Sequence, residues 1–286
     1  MKRIVCNIVI FLFILPTIIF SEEGNKGKQE EIWLKQIITG LTITQVSYSN
    51  WVKGGENALS WTASVDMKFE KDDKKKNWST VGKFAFGQTK QENLEIRKSV
   101  DKIDISSVYT YKYKRALNPF LGGTILTQFA TGYDYSITPK VPKSNFFDPV
   151  YLQQSVGAGF LLNSSFKTRI GIAIREIISK TYAKWGYTDN PDTPEIEKYK
   201  IEKGITSVTT VYKKIEENFL IDSKLEMFSK LDGIKNVDIK FENTFTAQVA
   251  KYIVVKFETL IYYDRDISKT IQTKQSLGMG FNFNLF

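Results

Sequence analysis

Residues 237–263 read VDIKFENTFTAQVAKYIVVKFETLIYY, and apolar side chains occupy alternate positions through most of this segment. In the first half, Phe241 and Phe245 share a face that lies opposite charged and hydroxyl side chains. In the second half, Lys256 and Glu258 occupy the polar face. A period of two residues is the pattern of a β-strand with one apolar and one polar face. The segment therefore predicts two amphipathic strands in close succession.

The register of this predicted hairpin follows from its two apolar faces. A shift of one residue would move every side chain of a strand to the other face, so the numbers of paired residues must have an even sum. A three-residue loop, Ala250–Tyr252, meets this condition, whereas a two-residue loop would place charged residues on the apolar face. The resulting register pairs Phe245 with Phe257 and Phe241 with Ile261.

Similar segments recur along the chain, and we count about twelve of them, an even number as in bacterial membrane barrels. They lie near residues 37–48, 59–69, 78–87, 103–113, 120–133, 155–162, 169–175, 202–212, 219–227, 237–249, 253–263 and 275–286. The predicted fold is all-β: a transmembrane antiparallel up-and-down β-barrel of about twelve strands. The alternative is a secreted soluble barrel or sandwich whose apolar faces turn inward.

The connections between these segments alternate in length, which favours the membrane barrel. Several at one end are short, at 115–119, 163–166, 213–215 and 250–252, and most at the other end are longer, at 49–57, 88–102, 134–150, 180–201 and 264–274. Two connections break the alternation, because 71–77 is moderately long and 230–235 is short. Short turns on one rim and long loops on the other are typical of outer-membrane barrels, whose long loops face outside.

Charged side chains occur in the middle of several segments, opposite the apolar faces. A lysine or arginine that faces lipid at the bilayer midplane costs about 2–4 kcal/mol. We therefore expect the charges to line the lumen, where they would form either a structural plug or a polar pathway. The predicted lumen charges are Arg169, Arg175, Lys224, Glu226, Lys240, Glu242, Lys256 and Glu258.

The composition excludes several classes of activity. The chain of 286 residues contains no histidine, the most common general base and metal ligand. Its single cysteine, Cys6, lies in the predicted leader, so the mature chain has neither a disulfide nor a catalytic thiol. The net charge of +9 is spread along the chain without a nucleic-acid recognition motif. We expect a protein that is not an enzyme and that has no cofactor, metal site or nucleic acid partner.

The first residues resemble a secretory signal. The basic pair Lys2-Arg3 precedes an apolar run over residues 4–20, and the small residue Ser21 follows it. The alternative for this run is a membrane anchor helix, for which about 17 residues is the lower limit. The predicted domains are a signal peptide at 1–21, a flexible linker at 22–32 and the barrel at 33–286.

Several short motifs occur in an order that resembles the order found in a known family. It begins with Trp51-Val52-Lys53-Gly54-Gly55, followed by Asn57 and Trp61. It continues with Trp78, Gly87 and Lys90, with Asp101-Lys102-Ile103, with Gln128-Phe129 and Gly132-Tyr133, and with Phe146-Phe147-Asp148-Pro149. The order and spacing resemble the domain-of-unknown-function 3078 family of Bacteroidota-type outer-membrane proteins, over about residues 33–286. The resemblance implies a β-barrel and no assigned activity.

Most of these motifs fall in or beside the predicted outward loops, where they form a candidate binding mouth. Its residues are Trp51, Gly54, Gly55, Asp101, Tyr133, Asp134, Phe147 and Asp148. In one interpretation, aromatic rings stack on a ligand and carboxylates fix it. In the other, the glycines shape turns and the aromatics lie at the membrane interface.

The sequence thus predicts a non-enzymatic outer-membrane barrel that acts as a transport channel or conduit for a small solute or lipid. The alternative is a closed barrel that serves as a surface receptor or scaffold and binds a partner through its outward loops. Either protein would contact outer-membrane lipids, and the barrel-assembly machinery during biogenesis. Ser99 and Lys102 have the spacing of a serine nucleophile and its lysine base, but residues three apart on a strand point to opposite faces.

Overall fold

The structure, a computed structural model, describes residues 33–47, 56–113, 117–161, 165–233, 237–266 and 268–285. The predicted signal peptide and linker lie outside the described residues and remain predictions. The same holds for three candidate mouth residues, Trp51, Gly54 and Gly55.

Fourteen strands account for most of the described chain. They are β1 (Trp33–Val46), β2 (Ala58–Asp72), β3 (Lys76–Gln91), β4 (Arg97–Tyr111), β5 (Asn118–Thr127), β6 (Gly132–Asp134), β7 (Val141–Ser144), β8 (Val150–Leu161), β9 (Phe166–Ile178), β10 (Tyr199–Glu216), β11 (Phe219–Lys230), β12 (Val237–Gln248), β13 (Ile253–Tyr263) and β14 (Gln272–Asn284). Short 3-10 turns lie at Ala183–Trp185 and Leu231–Gly233. No helix in the described part of the chain is long and apolar enough to cross a membrane.

Twelve of these strands close an antiparallel barrel in the order β1-β14-β13-β12-β11-β10-β9-β8-β5-β4-β3-β2, while β6 and β7 pair separately. Each barrel strand is hydrogen-bonded to the barrel strands that precede and follow it in the chain, with β6 and β7 inserted between β5 and β8, so the predicted all-β up-and-down barrel is confirmed. The predicted register of the β12–β13 hairpin is confirmed as well, because Phe245 pairs with Phe257 and Phe241 with Ile261.

The up-and-down order places both ends of the barrel on one rim, which we call the terminal rim; the opposite one is the long-loop rim. The terminal rim carries the connections 73–75, 112–117, 162–165, 217–218 and 249–252, and the long-loop rim carries 47–57, 92–96, 128–149, 179–198, 231–236 and 264–271. The expectation of a moderately long connection at 71–77 was wrong, because Asp72 still pairs with Asn77. The fifth strand also ends earlier than expected, at Thr127, where the longest excursion begins.

The first and last strands meet in a short seam. Six residue pairs join β1 to β14, from Ile38–Asn284 to Ile43–Met279. By contrast, fourteen pairs join β1 to β2. One further bond extends the seam, from the backbone N–H of Leu285 to the carbonyl oxygen of Ile37, at 2.9 Å.

The outer face of the barrel is apolar and exposed. On β9, Ile172 is 64% exposed, and on β14 Leu277 and Met279 are 63% and 61% exposed. Residues at the alternate positions of the same strands, such as Arg169 and Arg175 on β9, point to the inside because side chains alternate along a strand. The barrel therefore carries its apolar side chains outside and many of its charges inside.

Candidate functional site

A layer of six charged side chains spans the middle of the barrel. This central charge layer consists of Lys102 and Asp104 on β4, Lys224 and Glu226 on β11, and Lys240 and Glu242 on β12. The ammonium nitrogen of Lys102 lies 2.6 Å from a carboxylate oxygen of Glu242. Strands β4 and β12 are six places apart in the ring of twelve, so they form opposite walls. This ion pair therefore crosses the lumen.

The other members of the layer complete a charge-balanced network. Lys224 pairs with Glu226 at 2.5 Å, and Lys102 reaches Asp104 at 3.3 Å. Lys240 lies 3.4 Å from Glu242 and 3.8 Å from Glu226. Three ammonium groups thus face three carboxylates, and the layer needs no counter-ion from solution.

Two further ion pairs cross the lumen. One is in the central charge layer, where Lys240 lies 3.9 Å from Asp104 on the opposite wall, and the other lies beside it. Lys83 on β3 lies 3.0 Å from Asp222 on β11, and these strands are also six places apart. Sequence reasoning did not select Lys83, Lys102 or Asp104 as lumen charges. Lys102 and Asp104 could have been found from β4 alone, because they lie on the face opposite Ile103.

A third group of charges lies toward the long-loop rim and includes the predicted lumen residue Arg175. This rim charge cluster consists of Arg175, Lys200, Glu202, Lys230, Asp238 and Asp266. The guanidinium of Arg175 lies 2.7 Å from Asp238, three strands away, and 3.9 Å from the ring centroid of Phe228. The carboxylate of Glu202 forms ion pairs with Lys200, at 3.0 Å, and with Lys230, at 2.8 Å.

Asp266, in the loop that follows β13, links this cluster to the rim. Its ionisation should make the stability of the fold depend on pH. Burial opposes ionisation of its carboxyl, but hydrogen bonds from Lys200 and Lys230 outweigh that effect and lower the pKa of Asp266 to about 2. A depressed pKa stabilises the fold above the ordinary value of 3.8, and this stabilisation is lost as the pH falls toward 2. Solvent screening at this partly exposed group limits the contribution to about 1 kcal/mol.

We expect Asp266→Asn to lower the free energy of unfolding at pH 7 by that amount, with the difference from the wild type vanishing near pH 2. Urea unfolding in detergent micelles, followed by tryptophan fluorescence, measures it. Asp232→Asn, at an exposed position on the same rim, is the matched control. A difference that persists unchanged at low pH would contradict the assignment.

The remaining predicted lumen charges have other surroundings. Glu258 accepts a hydrogen bond from the hydroxyl of Ser276 at 3.1 Å. Within the described residues, neither Arg169 nor Lys256 has a carboxylate oxygen within the 4.0 Å limit of an ion pair. The structure therefore brings Arg175, Lys224, Glu226, Lys240 and Glu242 into networks and leaves two cations outside them.

Among the predicted mouth residues, Asp101 anchors the start of the 128–149 loop. Its carboxylate accepts the backbone N–H groups of Phe129, at 2.6 Å, and Ala130, at 2.9 Å. It also pairs with Lys98 at 2.7 Å. The carboxylate is thus occupied by the protein itself.

Asp148 anchors the other end of the same loop and joins it to the 179–198 loop. Its carboxylate accepts the hydroxyl of Ser179 at 2.7 Å and the backbone N–H groups of Lys180, at 3.2 Å, and Thr181, at 2.9 Å. Asp148 and Ser179 are both buried. We call this arrangement the Asp148 clamp.

The other mouth residues make local contacts or remain exposed. The ammonium of Lys140 lies 4.7 Å from the ring centroid of Tyr133. Asp134 accepts the N–H and the hydroxyl of Ser136, at 2.9 Å and 2.6 Å. Phe147 packs against its neighbour Phe146 with ring centroids 4.7 Å apart, and both rings are largely exposed.

The barrel is similar to several solved membrane barrels. The translocator domain of autotransporter NalP from Neisseria meningitidis is 7% identical, with 89% of each chain covered and a TM-score of 0.40. The COG4313 outer membrane channel from Pseudomonas putida F1 is 10% identical, with 92% of this chain and 99% of that one covered and a TM-score of 0.39. The outer membrane channel DcaP of Acinetobacter baumannii is 9% identical, with the same coverage and a TM-score of 0.34.

Comparison with curated proteins gives no match. A family comparison does give one, over the part of the chain that runs from β1 to β6 and contains Asp101 and Tyr133. Residues 43–133 match the family described as "Protein of unknown function (DUF3078)", and the resemblance predicted from the sequence motifs is confirmed over that range.

Proposed function

We propose that the protein is a non-enzymatic, integral outer-membrane β-barrel that acts as a gated conduit for a small charged or polar solute. The observation that carries this proposal is the Lys102–Glu242 pair, which joins opposite walls at 2.6 Å. The side chains that meet across the lumen at this level are charged and form ion pairs. A path for solute opens where such pairs separate.

Membrane insertion is supported by the outer surface. A contiguous exterior of exposed Ile, Leu, Met and Phe side chains is costly in water and favourable in lipid. Aromatic pairs lie near the terminal rim, with Trp33 and Trp78 at 5.9 Å and Tyr252 and Phe283 at 5.5 Å between ring centroids. Such positions fit the aromatic girdle at a membrane interface. Closed β-barrels of this kind are the outer-membrane class of spanning structure.

The chemistry of the central charge layer supports gating rather than a permanent plug. The groups that cross the lumen are lysine ammoniums on long, flexible side chains, from Lys83, Lys102 and Lys240. Rotation about their side-chain bonds moves the charge without disturbing the strand. Because Glu242 also contacts Lys240, and Lys102 also contacts Asp104, each group keeps a partner when the bridge separates.

Conductance of the barrel in a planar bilayer tests this proposal. We expect the wild type to be closed most of the time and the double variant Lys102→Gln with Glu242→Gln to show a several-fold higher open probability. The charge-swapped variant Lys102→Glu with Glu242→Lys re-forms the bridge and should restore the closed state. Equal conductance of all three correctly inserted barrels would contradict gating by this pair.

A second candidate function is a closed scaffold that binds a partner through its outward loops. The Asp148 clamp favours it, because a rigid pair of loops presents the exposed rings of Phe146 and Phe147 in a fixed position. Silence of both the wild type and the double variant in the bilayer would support this candidate.

A further inference from the structure

Arg169 on β9 is a cation inside the barrel without a protein counter-charge among the described residues. Arg169 and Arg175 are six residues apart on β9, so their side chains lie on the same face of the strand. Arg175 reaches Asp238 three strands away, so both residues point into the lumen. The nearest described aromatic contact is the ring of Phe120, whose centroid lies 5.9 Å from the guanidinium carbon. Phe120 is itself buried on the inner face of β5.

The carboxylate that would serve as a partner is already engaged. Glu226 lies in line with Arg169 across β10, because Val208 pairs with both residues. Glu226 bonds Lys224 at 2.5 Å and also lies 3.8 Å from Lys240. The guanidinium, which has five N–H donors, therefore has no carboxylate of the described protein within ion-pair distance.

On the β8 side, glycines form the wall beside Arg169. Gly159 is its direct neighbour on β8, and Gly157 pairs with Gly171 on the same inner face. A Cβ atom on Gly157 would lie 2.1 Å from the carbonyl oxygen of Ile170, so this close approach of β8 and β9 requires glycine. At Gly159, by contrast, a Cβ atom would have no neighbour closer than 3.4 Å, so the missing side chain leaves space beside the guanidinium.

A second cation lies on the same inner face. Lys167 precedes Arg169 by two residues, so both side chains point the same way, and Lys167 is exposed to solvent at the terminal side. Its neighbour across the ladder is Thr210, whose hydroxyl is a further donor. Glu70 and Asp72 of β2 lie close enough to interact with Lys167, so Arg169 supplies most of the available positive charge. The site thus offers this charge, hydrogen-bond donors and space.

We propose that Arg169 and Lys167 form a binding site for a small, freely diffusing oxyanion in the lumen. The planar guanidinium matches two oxygens of a sulfate, phosphate or carboxylate group, and the face of Phe120 limits its orientation. Leaving a guanidinium inside the barrel without a counter-charge is costly, and a bound anion removes that cost. The site does not depend on conduction, because Lys167 and Arg169 lie near the start of β9, beside the terminal rim.

Isothermal titration of the refolded full-length barrel with sulfate, in detergent micelles at constant ionic strength, tests the site. We expect saturable binding of one sulfate, weakened about tenfold or more by Arg169→Gln, since charge-assisted bonds to an oxyanion are strong. Arg169→Lys should bind more weakly than the wild type, because an ammonium cannot bond two oxygens in the guanidinium geometry. Lys213→Gln, an exposed position on β10 with the same change of net charge, should bind as the wild type does.

A second measurement uses the wild type alone and does not rely on the variants folding. Sulfate should protect Arg169 from phenylglyoxal, an arginine-selective reagent, while the modification of exposed Arg265 stays unchanged. Peptide mass analysis locates the modified residues. Absence of saturable sulfate binding, equal binding by the folded Arg169→Gln variant, or modification of Arg169 at the same rate with and without sulfate would each overturn the proposal.

Discussion

Replacing Glu242 by glutamine should lower the free energy of unfolding by about 2 kcal/mol, because Lys102 and Lys240 each lose a carboxylate contact inside the barrel and keep only their remaining partners. Glu242 bonds Lys102 at 2.6 Å and lies 3.4 Å from Lys240. Its removal leaves three ammonium groups facing two carboxylates in a layer that is only partly exposed to solvent. Urea unfolding in micelles, followed by tryptophan fluorescence, measures the change.

The double variant Lys102→Gln with Glu242→Gln separates two effects, the charge imbalance that follows the loss of one carboxylate and the loss of the ion pair itself. It removes one charge of each sign, so the layer stays neutral, and we expect it to be more stable than Glu242→Gln alone. Glu217→Gln, in the exposed turn after β10, is the matched control and should change stability by less than about 0.5 kcal/mol. If Glu242→Gln changed stability no more than Glu217→Gln, the Lys102–Glu242 ion pair would not contribute to the stability of the barrel.

Replacing Asp148 by alanine should release the two longest loops from each other. The variant loses the bonds from Ser179, Lys180 and Thr181 to a buried carboxylate, and leaves those donors unsatisfied. A local cost of about 2 kcal/mol raises the population of the open loops roughly thirty-fold. Limited proteolysis of the folded barrel should show cleavage within 128–149 and 179–198 accelerated by a similar factor.

The control for this experiment lies in the 179–198 loop, which the Asp148 clamp holds. Asp192 is exposed, so Asp192→Ala should leave the cleavage rate within about twofold of the wild type, as for most surface substitutions. Barrel stability in urea should change little in either variant, because the clamp lies outside the strands. Equal cleavage of the two variants would show that other contacts hold the loops.

Most of the barrel was predictable from the sequence because one local rule determines it. Alternation of apolar and charged residues identifies a strand and its two faces, and the parity of Phe245 and Phe257 then determines the register of a hairpin. The rule fails where a strand continues past its apolar residues. Asp72 and Asn77 extend the β2–β3 hairpin with polar side chains. The apolar pattern ends before the strands do, so the predicted connection was longer than the actual one.

The charge networks were only partly predictable. Alternation identifies Glu242 as a lumen residue, but its partner Lys102 is 140 positions away and on the opposite wall. Local periodicity contains no information about contacts across a lumen, which depend on strand number, tilt and side-chain length. For the same reason, the motif residues Asp101 and Asp148 could be selected from the sequence, whereas the backbone N–H groups that they bind could not.

The short β1–β14 seam has a consequence for the order in which the chain assembles. Every other junction of the barrel joins strands that are neighbours in sequence or are separated by one excursion, and such hairpins form early. The seam pairs Ile38 with Asn284, so its entropy of loop closure is among the largest in the molecule. Until β14 is in place, β1 keeps an unpaired edge, and such edges recruit strands from other chains. The nascent barrel is therefore most vulnerable to aggregation just before its last strand docks, and the folded one opens most easily at the same place.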